Sequence, residues 1–100
     1  MIPKKFNIAG GKTIEVKLID CFDEPVKFGD FDTVTNIITV AKRVKDEKGN
    51  KTLLKDEDID RTFYHELIHV FQWFYDTDFS EAQAQVYSNF IYEYIHSCQK

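Results

Sequence analysis

Thr62-Phe63-Tyr64-His65-Glu66-Leu67-Ile68-His69 is the stretch on which the reading of this 100-residue chain turns. It lies in a segment of helical period, where Phe63, Leu67, Val70, Phe71 and Phe74 recur at steps of three and four and form the expected core face. Residues four apart share a helical face. His65 and His69 therefore stand one turn apart on a neighbouring stripe, and both imidazoles reach a single cation. Glu66 follows the first histidine directly, which puts its carboxylate beside that cation rather than on it. A general base for a metal-activated water must stand there. Asp56, Glu57, Asp58 and Asp60 lead into the helical run of residues 59–75, and acids in a first turn complement the helix dipole.

Beyond the run, Asp76-Thr77-Asp78 ends the helix. Ser80 is a good N-cap, and Glu81-Ala82-Gln83 opens a second helix reaching about Cys98. So short a connection makes the two helices antiparallel neighbours. Ala84, Tyr87, Ile91 and Tyr94 form the expected apolar stripe, widened by Val86 and Phe90, while Ala84 and Ser88 are small enough for close approach.

Catalytic zinc takes three protein ligands and keeps one position open, so two histidines need a third partner. Glu81 stands first among the candidates, with Gln85 one turn on as an expected hydrogen-bonding support for the ligands. Asp78 and His96 remain as alternatives. His96 sits four turns further along the helix, and Asp76 and Asp78 also read as residues that end the first one. An acid just after a Ser cap is in any case ordinary helix-start chemistry. Neither cysteine lies near the motif, which disfavours thiolate ligation. Phe71 to Tyr75 reads as core and cleft wall. Tyr64, Tyr87 and Tyr92 read as packing residues, any one of which is able to donate to an oxyanion.

The first half reads as strands. Phe6-Asn7-Ile8-Ala9 and the alternating run from Thr13 to Asp20 flank Gly10-Gly11, a hairpin signal. A short strand is expected over residues 27–32, a turn near Thr35-Asn36, and a strand over residues 37–41. Residues 42–55 are charged around Gly49-Asn50 and read as a solvated loop or hairpin tip. The expected fold is thus α+β: a small antiparallel or mixed sheet of three or four strands packed against the motif helix and the second helix. One domain spans residues 1–100.

A hydrophobic share of 43% and aromatic share of 15% fit a globular chain rather than a disordered one. The net charge is −4 with no basic stripe, which disfavours nucleic acid or an anionic membrane as partner. Apolar runs fall far short of the ~20 residues a membrane span needs. No secretory signal is visible, and Cys21 and Cys98 read as free thiols of a cytoplasmic protein.

The H-E-L-I-H helix, followed by a helix opening with Glu81 in Ser80-Glu81-Ala82-Gln83-Ala84-Gln85, resembles the gluzincin branch of zinc metallopeptidases. Within it, residues 27–97 are similar to the small single-domain minigluzincins and to ImmA/IrrE-type and phage-borne metallopeptidases. The resemblance implies a zincin-like sheet whose edge strand, residues 37–41 or the strand beside it, aligns a peptide or protein substrate. It implies Zn2+ held by His65, His69 and Glu81, with Glu66 as general base in peptide hydrolysis. Ser80 stands where the usual pattern has Asn before the glutamate. Some small members are latent, with a chain terminus over the metal, a role that would fall here to His96 or Cys98 in the tail His96-Ser97-Cys98-Gln99-Lys100. The alternatives are a slow or latent zinc-binding regulatory module of phage or mobile-element type, and a structural α+β domain whose histidines do nothing.

Overall fold

Gly10 and Gly11 hold φ at 75° and 103°, a region that side chains resist, and the Gly11 N–H donates to the Ile8 carbonyl at 3.1 Å. This turn folds β1 (Lys5–Ile8) antiparallel onto β2 (Lys12–Ile19). The computed structural model describes residues 2–8, 10–75 and 78–98, so Ala9 of the expected hairpin lies outside the described residues.

β3 (Gly29–Asp32) and β4 (Ile37–Ala41) form a second antiparallel pair. Asp32 pins the turn between them, its Oδ1 accepting from the N–H groups of Val34 and Thr35 at 2.9 and 3.3 Å. β4 also runs parallel to β2, which makes a mixed sheet of order β1-β2-β4-β3. Ile37–Ala41 is therefore not an edge strand. It is central, and its nearly unbroken apolar run suits a strand paired on both sides. The strand beside it, β3, is an edge strand, as is β1 at the other end. The charged segment 42–55 is a hairpin of β5 (Arg43–Lys45) and β6 (Lys51–Leu53).

Register sets Phe6 beside Ile14, and Ile38 beside both Val16 and Phe31, with Gly29 beside Val40. One sheet face therefore carries these apolar groups, and α1 (Asp56–Phe74) crosses it over β3 and β4. The core is Ile14, Ile38, Val40, Phe63 and Val70, with Phe31, Leu67 and Phe74 packed around it. The acids Asp56, Glu57 and Asp58 fill the first turn of α1, and Asp58 Oδ2 accepts the Lys55 N–H at 3.3 Å. Phe71 departs from the expected core face. It lies about 100° around the helix from Val70, is 45% exposed, and packs on Tyr75 instead.

Ser80 caps α2 (Glu81–Ser97) as its sequence implies, its Oγ accepting the Gln83 N–H at 3.1 Å. Contacts of Arg61 with Asn89 and of His69 with Glu81 set α2 antiparallel to α1. The stripe α2 buries is narrower than its apolar residues imply. Ala84 and Ser88 are fully enclosed, but Val86, Tyr87, Phe90 and Tyr94 remain exposed. Small residues let α2 lie close on a single helix, and one helix covers only a thin band of another. No described helix is long and apolar enough to cross a membrane. Cys21 and Cys98 are both free.

Candidate metal centre

Gly29 brings the motif and the edge strand together. A Cβ there would meet Thr62 Cγ2 at 2.7 Å, the Thr39 carbonyl oxygen at 3.1 Å and Glu66 Cγ at 3.4 Å. Only a residue with no side chain lets α1 press on β3 at this point. Glu66 is held there, 7% exposed. Its carboxylate reaches the walls of two cavities, of about 400 and 240 Å3, that lie on either side of it. Burial pushes its pKa up to about 7; His69 and Lys27 pull the other way, and the carboxylates of Asp30 and Glu81 add to the rise.

His65 and His69 occupy successive turns of α1, their rings 4.9 Å apart. Both direct Nε2 at Glu81 Oε1, at 2.8 Å from His65 and 3.3 Å from His69. The three ligand atoms lie within 4.8 Å of one another. A tetrahedral zinc with bonds of 2.0–2.1 Å separates its ligand atoms by about 3.3 Å. The hydrogen bond from His65 holds the Glu81 carboxyl below its usual range, against the opposing effect of burial.

The tautomer of His69 tests the fit. Gln72 is fully buried, and its Nε2 donates to the Ser80 carbonyl at 3.4 Å and to Gln83 Oε1 at 2.6 Å. A carbonyl only accepts, so Gln72 Oε1 is the acceptor for His69 Nδ1 at 2.8 Å. Neutral His69 then turns an unprotonated Nε2 toward the Glu81 carboxylate. Two acceptors face each other, and a proton or a cation between them is what reconciles the pair. Two imidazoles and a carboxylate are an N/O donor set of the kind zinc takes.

Of the other candidates, Asp78 is exposed and outside this cluster, and Asp76 lies outside the described residues. His96 packs its ring on Tyr92 at 3.9 Å, and fifteen helical residues separate it from Glu81, about 22 Å. It neither ligates nor covers the cluster, and Cys98 beyond it caps the helix end; Gln99 and Lys100 lie outside the described residues. Gln85 is exposed and lines the larger cavity rather than supporting a ligand. The support comes from Gln72, which sequence reasoning missed. Its signal was a lone amide inside an aromatic run, three residues after the second histidine. Tyr64, Tyr87 and Tyr92 line neither cavity, so none is placed to meet an oxyanion there. No family model, curated protein or solved structure gives a significant match to this chain.

Proposed function

We propose that this protein is a zinc metallopeptidase of the gluzincin type, with a zincin-like fold and with His65, His69 and Glu81 as the metal ligands. The observation that carries the reading is the arrangement around Glu66. A carboxylate raised by burial stands between two cavities, one residue from a converging His-His-Glu set whose inner histidine is fixed by Gln72. When bound, zinc supplies positive charge that acidifies a water and polarises a substrate carbonyl.

The rest is work for the chain's own groups. Glu66 takes the proton from the attacking water and returns it to the departing amine. β3 orients the substrate. The Phe28 carbonyl accepts from the Ala41 N–H at 2.9 Å, toward β4. Alternation along an antiparallel pair then turns the main-chain groups of Gly29 and Phe31 outward, where an extended peptide adds by strand pairing.

Protein purified without an affinity tag should carry about one equivalent of zinc, and it should cut peptides that Glu66→Gln leaves intact. A zinc-free protein overturns the site. Zinc without cleavage leaves the latent regulatory module in place of the enzyme.

A further inference from the structure

The smaller cavity is walled by an aromatic side chain, Phe79, that the chemistry above does not use. Phe79 stacks on the His69 ring, centroids 5.4 Å apart and planes 29° apart, yet stays 52% exposed. Trp73 stands behind it at 6.2 Å and is itself 45% exposed. Across the cavity lies Phe31 of β3, and the carboxylates of Asp30 and Glu81 complete the rim. A volume of about 240 Å3 falls below the ~300–1,000 Å3 of small-molecule pockets, so it suits one side chain.

We infer that Phe79, backed by Trp73, forms a subsite that selects an aromatic or large aliphatic side chain on the substrate residue just before the cleaved bond. This rests on the peptidase reading and adds the substrate class to it. Direction follows from the strand. The chain passes the larger cavity over Val26 to Gly29 and then, as β3, lines the smaller one over Gly29 to Phe31. A peptide added antiparallel runs the opposite way and leaves its N-terminal part in the smaller cavity. An apolar side chain there covers the open face of Phe79. An acidic one gains no such contact and meets the carboxylate of Asp30.

Trp73 is the only tryptophan in the chain and packs against Phe79, so its emission reports on what Phe79 meets. The probes are acetyl-Ala-Ala-Phe-Ala-Ala-Ala-amide and its counterparts with Leu, Ala or Asp replacing Phe, titrated into zinc-loaded Glu66→Gln protein. The Phe and Leu peptides should shift Trp73 emission at roughly tenfold lower concentration than the Ala and Asp peptides. Adding Phe79→Ala should erase that difference while zinc content stays at one equivalent, and Phe79→Tyr should restore it. A response equal for Phe and Ala, or discrimination that survives Phe79→Ala, overturns the subsite. So does a response to none of the peptides. Parallel digestion by the parent separates the two claims. Selective binding without any cut keeps the subsite and sinks the peptidase, and cutting with no preference before the bond does the reverse.

Discussion

At the residue scale the decisive group is Glu66, because burial and function ask different things of it. Without metal its folded pKa is about 7 against an ordinary 4.5. Between those values the native protein keeps a proton the unfolded chain has lost. Stability of the metal-free protein therefore falls as pH rises from 4.5 to 7, and above pH 7 the charged, buried carboxylate costs on the order of 3 kcal/mol. Glu66→Gln should flatten that slope in chelator-treated protein and raise its denaturation midpoint at pH 8; a midpoint unchanged at pH 8 would mean the carboxylate is better solvated than its burial implies. Gln72 makes a second prediction at this scale. Replacing it with Leu keeps the volume but frees His69 Nδ1, and zinc affinity in a competition titration should drop about 10–100-fold. The two histidines and Glu66 were legible in the sequence because helical period alone sets their spacing. Gln72 was not, because its role depends on Ser80 and Gln83 returning to it across a turn.

Among the elements, the contact between α1 and β3 governs the site. Gly29→Ala places a methyl against the stiff Thr62 side chain and the Thr39 carbonyl. It should lower stability by about 1–3 kcal/mol in urea denaturation, as overpacking does, and should reduce zinc retention by moving α1. Ser80→Ala touches no part of that contact and removes only the cap of α2, at a cost of about 1 kcal/mol. Elements as such were readable: the glycine turn, the four strands of the sheet, the Ser80 cap and both helices sit close to where local pattern puts them, whereas β5 and β6 read only as a loop or hairpin tip. Their neighbours were not. That β4 lies inside the sheet and β3 at its edge is a matter of pairing between β2 and β4, which no local period records. The exposure of Val86, Tyr87, Phe90 and Tyr94 has the same origin. An apolar stripe states what a helix is able to bury, whereas the width of the surface it meets decides how much it does.

For the molecule as a whole, a sheet covered on one face by one helix, with a second helix laid on the first, is a small body with a modest core. Its hydrophobic contacts run from the sheet through Phe63 and Val70, while polar contacts to Glu81 and through Gln72 tie α2 to α1. A cation held by His65, His69 and Glu81 would join the helices at the end where Ser80 begins α2, and binding to the folded state alone stabilises by mass action. Zinc at a thousand times its dissociation constant adds about 4 kcal/mol. For a domain of this size that moves Tm by well over 10 °C, at roughly 4–8 °C per kcal/mol. The same cation reverses the sign of the Glu66 effect, since positive charge nearby favours the carboxylate over the acid. Calorimetry across pH 5 to 8 should therefore show a downward trend in the chelated protein that disappears once zinc is added. If His65, His69 and Glu81 are merely hydrogen-bonded neighbours, zinc will leave both Tm and its pH trend where they were, and Glu81→Ala will make no difference to either.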